Sequence, residues 1–301
     1  MEQHADAFRE IVGLDVAVNQ MMASFTSFQV GGPADILLIP KTEDAFFNAL
    51  QLCTDHQLPV FVMGNGSNLV VRDKGIRGVV IKLAGGLVEM HVEGNRLFAQ
   101  AGVMLSKLSR FAAQHGLSGM EFAEGIPGTF GGAIAMNAGA YGGEMKDVVT
   151  HSLCVDSTGK QFELDNAQHQ FEYRNSLVKR QKLFVIHAEL LLEPQENDII
   201  RKKMKDFSTL RTSKQPTSMP SAGSTFKRPA GYFAGQLIEA CGLKGSKIGG
   251  AQVSTKHSGF IVNCGDATAE DITKLIAVIQ EKVFQEKGVH IETEVMIVGE
   301  E

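Results

Sequence analysis

The chain has 301 residues, enough for two or three modules and for a core that can shape a deep cleft. Apolar residues make up 44% and charged residues 21%, the proportions of a folded globular protein, which exclude a disordered or fibrous class. The net charge is -5, no Lys/Arg run is interleaved with aromatics, and no apolar run has membrane-spanning length, so neither a nucleic acid nor a membrane is expected as a partner.

At the N-terminus Met1-Glu2-Gln3-His4-Ala5-Asp6 lacks the basic and apolar regions of a signal peptide, which predicts a cytoplasmic protein. Ala34 to Ile39 is a short apolar run, and 42 to 56 has helical periodicity with Thr42 as its N-cap, so a small βαβ unit is predicted. Val60-Phe61-Val62-Met63 reads as a buried strand that runs directly into Gly64-Asn65-Gly66-Ser67-Asn68; Leu69-Val70-Val71 and Val79-Val80-Ile81 follow as strands. Two strands flank a turn at Glu93-Gly94-Asn95, and Leu105, Leu108, Phe111 and Ala112 form the apolar stripe of a helix over 105 to 115. A hairpin is predicted around Ser157-Thr158-Gly159, then a long strand over Leu183 to Leu192 that Pro194 breaks.

The last third opens with a helix near 197 to 210, whose basic cluster Arg201-Lys202-Lys203-Met204-Lys205 reads as a solvated face. A polar, proline-containing loop over 214 to 223 comes next. A capping box at Thr268 and Asp271 starts a long helix with Ile272, Leu275, Ile276, Ile279 and Val283 on its core stripe, and Gly288 stops it. Val289 to Val298 is read as one alternating strand, with Glu292, Glu294, Met296 and Val298 on one face. Three modules are expected: 1–84, 85–196 and 197–301. Cys53, Cys154, Cys241 and Cys264 are far apart and have no histidine at ligand spacing, which predicts reduced thiols and no metal site.

Gly125-Ile126-Pro127-Gly128-Thr129-Phe130-Gly131-Gly132-Ala133 lacks bulky polar side chains, so its backbone N–H groups can converge on an anion such as a pyrophosphate. Asn137-Ala138-Gly139-Ala140-Tyr141-Gly142-Gly143 continues it with room for a flat ring. In the earlier loop Ser67 and Asn68 add side-chain donors. Neither loop has the dinucleotide G-x-G-x-x-G or the Walker spacing.

In this order, G-N-G-S-N-L, G-I-P-G-T-F-G-G-A, N-A-G-A-Y-G, Y-R-N-S and A-G-S-T-F-K-R-P resemble the UDP-N-acetylenolpyruvoylglucosamine reductase family over nearly the whole chain. The spacing of these motifs resembles its compact subtype, and the first two are shared with the wider vanillyl-alcohol-oxidase-like flavoproteins. The resemblance implies an α+β fold, in which a two-subdomain FAD-binding module precedes a C-terminal α+β substrate-binding domain. It implies FAD held by Gly64, Asn65, Gly66, Ser67, Asn68, Gly125, Ile126, Pro127, Gly128, Thr129, Gly131, Gly132, Ala133 and Asn137. NADPH is the implied reductant, and the implied substrate is UDP-N-acetylglucosamine enolpyruvate, reduced in a cytoplasmic step of peptidoglycan synthesis.

In that reaction hydride passes from the flavin to the vinyl carbon, leaving an enolate to be stabilised and protonated. By the same resemblance Arg174 stabilises the enolate, Ser224 protonates it and Glu294 is the acid/base partner, while Lys214, Lys227 and Arg228 contact the UDP-sugar. Many members carry asparagine in place of Arg228, and His257 reads as either a cleft or a structural histidine. A monomer is expected. Two other readings stay open: another FAD-dependent oxidase or dehydrogenase of the same fold, or a non-catalytic nucleotide-sugar binding module.

Overall fold

Local propensity and burial set the elements of the chain, whose residues 2–301 are described by a computed structural model. In chain order they begin with α1 (Glu2–Arg9), β1 (Leu14–Met21), β2 (Pro33–Pro40), α2 (Glu43–Asp55), β3 (Val60–Met63), β4 (Leu69–Val71) and β5 (Ile76–Lys82). β6 (Met90–Glu93), β7 (Arg96–Gln100), α3 (Leu105–Gln114), β8 (Leu117–Ser118), α4 (Phe130–Ala135), β9 (Gly139–Ala140) and β10 (Gly143–Glu144) follow. Then come β11 (Val149–Val155), β12 (Gln161–Asp165), α5 (Leu177–Arg180), β13 (Phe184–Leu191), β14 (Glu193–Pro194) and α6 (Asn197–Lys214). The chain finishes with α7 (Ala234–Ala240), β15 (Lys247–Ile248), β16 (Ala251–Val253), β17 (Ile261–Asn263), α8 (Ala269–Lys287) and β18 (Met296–Val298).

Contacts group the chain into two units, each assembled from separate stretches. The first comprises residues 1–18, 35–65 and 78–210, and the second 19–34, 66–77 and 211–301. In the first unit, Thr42 caps α2 by accepting from Ala45 N at 3.1 Å, and Glu43 and Asp44 in the first turn complement the helix dipole. The expected βαβ unit forms with one strand interposed: the sheet order is β1-β2-β5-β3, with β5 parallel to β3. A second, antiparallel sheet of order β12-β11-β13-β7-β6 follows. Its β6–β7 hairpin turns after Glu93 paired with Arg96, where Gly94 adopts φ 61°. Ile36, Leu38, Val79 and Ile81 of one sheet share a hydrophobic core with Leu97, Ala99, Val185 and Ile186 of the other, and α2, α3 and α4 contribute to it.

In the second unit α8 is capped as expected by the Thr268/Asp271 box, and Gly288 ends it in the left-handed conformation at φ 67°. The expected stripe Ile272, Leu275, Ile276, Ile279 and Val283 is buried against Leu237, Ile238, Val253 and Ile261.

Three local expectations change. The helix predicted to stop near 210 continues to Lys214, because Pro216 is the first residue that opposes it by disfavouring the helical conformation at Gln215. Lys214 therefore lies on the last helical turn and not in a loop. Pro194 ends β13 as expected but pairs with Leu117 in a two-residue ladder. The single strand expected over 289 to 298 is reduced to β18, because Glu294 N is drawn to Thr225 O (2.8 Å) and Gln280 Nε2 to Ile291 O (2.9 Å). Ile291 and Val295 are buried there, and Thr293 forms an isolated antiparallel bridge with Phe226 in place of a strand.

Cys53, Cys154 and Cys241 are buried and Cys264 is exposed. Burial pushes the Cys53 thiol up to about 12 and the Cys154 thiol up to about 11. A disulfide-exchange reagent is expected to titrate one thiol rapidly in the native protein and all four after denaturation, and Cys264→Ser to abolish the rapid phase.

Candidate active site

Strand β3 delivers Gly64 to the second glycine loop. A Cβ added to Gly64 would lie 2.1 Å from Thr129 Oγ1, so only glycine fits there, and Asn65 Nδ2 donates to Pro127 O at 2.9 Å. Gly64-Asn65 and the Gly125–Ala133 loop thus form one surface of the first unit. Not every backbone donor of the second loop is available to an anion. Ile126, Phe130, Gly131 and Ala133 N–H groups are taken by the carbonyls of Ala123 (3.1 Å), Val103 (2.8 Å), Ala101 (2.9 Å) and Thr129 (2.9 Å). The donors left for a ligand are those of Gly125, Gly128, Thr129 and Gly132, since Pro127 has none.

Thr129 Oγ1 is buried and has no hydrogen-bond partner among the described residues. Such a group costs about 1–3 kcal/mol unless something satisfies it. An unsatisfied hydroxyl beside a residue that cannot carry a side chain fits a bound dinucleotide: Gly64, Asn65, Gly125, Gly128, Thr129 and Gly132 would hold the FAD diphosphate. The rest of the first motif, Gly66-Ser67-Asn68, falls in the second unit. There Asn68 Nδ2 donates to Glu294 O at 3.0 Å and Asn68 O accepts from Met296 N at 2.9 Å. The Asn68 side chain thereby holds the segment that carries Glu294.

Arg174 lies in the first unit, in a turn closed by reciprocal hydrogen bonds of Glu172 and Asn175. Its guanidinium is 5.2 Å from the Tyr173 ring centre, and Nη2 approaches Gly139 O at 3.4 Å, which sets it beside the N-A-G-A-Y-G stretch. Asn137 is buried, and its side chain is occupied inside the protein. Tyr141 stacks on Phe207 of α6, with ring centres 4.6 Å apart, and both line a cavity of about 310 Å³ that the sequence gave no sign of.

In the second unit Ser224 and Glu294 are brought together through Thr225. Thr225 is buried and held by Gly259 O (2.9 Å) and Ile261 N (3.1 Å), while its own carbonyl accepts Glu294 N. Ser224, one residue before Thr225, and Glu294 are each half-buried. Lys227 Nζ pairs with Glu292 Oε2 at 2.8 Å, and this ammonium holds the Glu292 carboxyl below its ordinary value. The Arg228 guanidinium lies 3.9 Å over the Phe233 ring. His257 is half-buried, its Nδ1 accepts from Gly259 N at 3.1 Å, and burial pushes its imidazole pKa down.

His169 was not singled out by sequence, because polar Gln168 and Gln170 flank it and hide its burial. It is fully buried in the first unit, shares a 2.9 Å hydrogen bond with Ser152 and stacks on Phe171. Desolvation lowers its pKa from 6.5 to about 4. The folded protein therefore resists a proton that the unfolded chain accepts, so stability is complete above pH 6.5 and falls as pH drops toward 4. About 2 kcal/mol should be lost by pH 5. Urea unfolding at pH 7 and pH 5 measures this, and His169→Gln is expected to flatten that part of the dependence.

Residues 34–165 match the FAD binding domain family, and 215–298 match the family described as UDP-N-acetylenolpyruvoylglucosamine reductase, C-terminal domain. The UDP-N-acetylenolpyruvoylglucosamine reductase of Alkaliphilus oremlandii is 50% identical over 286 residues, covering 95% of this chain and 94% of that protein. The enzyme of the same name from Clostridioides difficile is 50% identical over 287 residues, covering 95% and 94%. The crystal structure of the reductase from Thermus caldophilus superposes with a TM-score of 0.81 at 33% identity, covering 94% of this chain and 98% of that one. An alkyldihydroxyacetonephosphate synthase, 16% identical with a TM-score of 0.50 over 64% of this chain and 44% of its own, shares the fold alone. The expected α+β architecture, an FAD-binding module followed by a C-terminal domain, is therefore present.

No helix among the described residues is long and apolar enough to cross a membrane, and no group of three or more His, Cys, Asp or Glu among them is placed to hold a metal. With half of its residues identical to named relatives over nearly its full length, the chain belongs to the UDP-N-acetylenolpyruvoylglucosamine reductase family and is an FAD-dependent oxidoreductase.

Proposed function

We propose that this chain reduces the enolpyruvyl ether of UDP-N-acetylglucosamine enolpyruvate to the lactyl ether, with NADPH as reductant, in the cytoplasmic synthesis of a peptidoglycan precursor. When bound, FAD would supply the two-electron redox chemistry that links NADPH to the vinyl carbon of the substrate. The charge this leaves on the carbon beside the substrate carboxylate is met by Arg174, whose planar fork matches the two oxygens of an enolate. Ser224 gives that carbon its proton, and Glu294 is the acid/base partner that assists the enol.

The observation that supports this reading most directly is the hydrogen bond from Glu294 N to Thr225 O at 2.8 Å, which ties the residue after Ser224 to Glu294. That bond brings together backbone segments whose two proposed proton-handling groups are 70 positions apart in the sequence. Lys227 and Arg228 are proposed to meet the UDP diphosphate with Lys214, Lys227 exchanging its exposed pairing with Glu292 for a phosphate oxygen. The functional division proposed is 1–84 and 85–196 for the flavin and 197–301 for the substrate, in a monomer.

The test is spectroscopic. The purified protein should be yellow, be bleached anaerobically by NADPH, and recover its colour when the enolpyruvyl UDP-sugar is added. Recovery with an unrelated acceptor but not with this one would overturn the assignment.

A further inference from the structure

We propose that Asn137 is the positioning residue for Arg174: its side chain ties the glycine-rich hairpin to the turn from which Arg174 projects. The inference rests on the reading of Arg174 as the group that meets the substrate's developing charge.

Two tight turns meet at this point. One joins β9 to β10 through Tyr141 and Gly142, at φ 53° and 90°, with Ala140 paired to Gly143 and Gly139 to Glu144. The other closes Glu172 on Asn175 by two hydrogen bonds of 3.0 and 3.2 Å, with Arg174 itself at φ 56°. Asn137, Tyr141 and Arg174 are all non-glycine residues in the left-handed region, which persists only where surrounding contacts over-determine the backbone.

Asn137 makes those contacts. Its Nδ2 donates to Glu144 Oε2 at 2.7 Å and to Glu172 O at 3.1 Å, and its Oδ1 accepts from Lys146 N at 3.0 Å. Both amide hydrogens are thus used, one on each turn, in a residue only 1% exposed. A side chain so occupied has no amide hydrogen left for the cofactor role the sequence suggested for it. The Arg174 guanidinium reaches Gly139 O with Nη2 at 3.4 Å, and the turn beneath it fixes the backbone from which the side chain projects. Ser176 Oγ donates to Ala135 O at 2.7 Å and is a second tie between the same segments. Loss of Asn137 should therefore loosen the Arg174 turn and leave the fold intact.

Asn137→Gly is the discriminating variant, because glycine accepts φ 44° without strain while all three side-chain hydrogen bonds disappear. FAD content and bleaching by NADPH are expected to stay within about twofold of wild type, whereas reoxidation by the enolpyruvyl substrate slows about ten- to a hundredfold. Hydrogen exchange in the segment 170–176 should accelerate. In an Arg174→Ala background the same change should add less than about twofold, because the two residues act as one unit.

Loss of FAD from Asn137→Gly, equal slowing of both half-reactions, unchanged exchange in 170–176, or full additivity with Arg174→Ala would overturn the inference and leave the proposed reaction standing. If Arg174→Ala itself reoxidised at the wild-type rate, the reading of Arg174 on which the inference rests would fall.

Discussion

Ser224→Ala is expected to leave bleaching of the flavin by NADPH near the wild-type rate and to slow reoxidation by the enolpyruvyl substrate by about 10²–10⁴-fold, the span that a positioned proton donor contributes. A loss of 10³-fold corresponds to about 4 kcal/mol of the barrier. The asymmetry follows from chemistry: only the second half-reaction creates a carbanion that needs a proton. A serine hydroxyl is a weak acid, and in the proposed reaction it would serve only because an enolic carbon is a strong base. Thr225 makes the test clean. Its amide, hydroxyl and carbonyl are bonded to Gly259, Ile261 and Glu294, so the loop keeps its shape without the Ser224 hydroxyl. Stopped-flow measurement of the two half-reactions separates the outcomes, and equal slowing of both would make Ser224 a positional residue.

Gly64→Ala should yield folded but largely colourless protein. The added methyl would sit 2.1 Å from Thr129 Oγ1 and 3.2 and 3.3 Å from Thr129 Cβ and Cγ2, all well inside ordinary contact. Either Thr129 or the backbone of the first loop must move, and both belong to the proposed cradle. We expect FAD affinity to fall by about a hundredfold or more, as for a displacement of about 1 Å in a preorganised site. Since the three nearest atoms all belong to one side chain, Gly64→Ala with Thr129→Gly should recover part of the binding. Flavin content by absorbance and fluorescence titration of the apoprotein would measure it. Full flavin occupancy in the single variant would show that this contact is not part of the cofactor site.

Much of the local structure was legible because it depends on residues three or four apart. The Thr42 cap of α2, the Thr268/Asp271 box, the stripe of α8 and its stop at Gly288 all follow from near neighbours. The final strand was misread for the opposite reason. Its alternation is real in the sequence, but Thr225 and Gln280 draw its first half out of any sheet. The site was legible as motifs and illegible as geometry. Nothing in the second glycine loop announces that four of its N–H groups are already committed to carbonyls at 101, 103, 123 and 129. His169 and the Tyr141–Phe207 pair gave no signal, since burial and ring stacking are properties of a fold and not of a window.

By itself the sequence determined the helices, most strands and turns, the chemistry carried by the motifs, and through them the family. Each of these is written in short-range pattern or in the identity of single residues. Only the tertiary structure decided that Gly64 faces Thr129, that Thr225 joins Ser224 to Glu294, that Asn68 braces that same segment across 226 positions, and that Asn137 is spent on two turns. These are contacts between residues distant in the chain. Packing of the whole core selects them, and no local propensity encodes it.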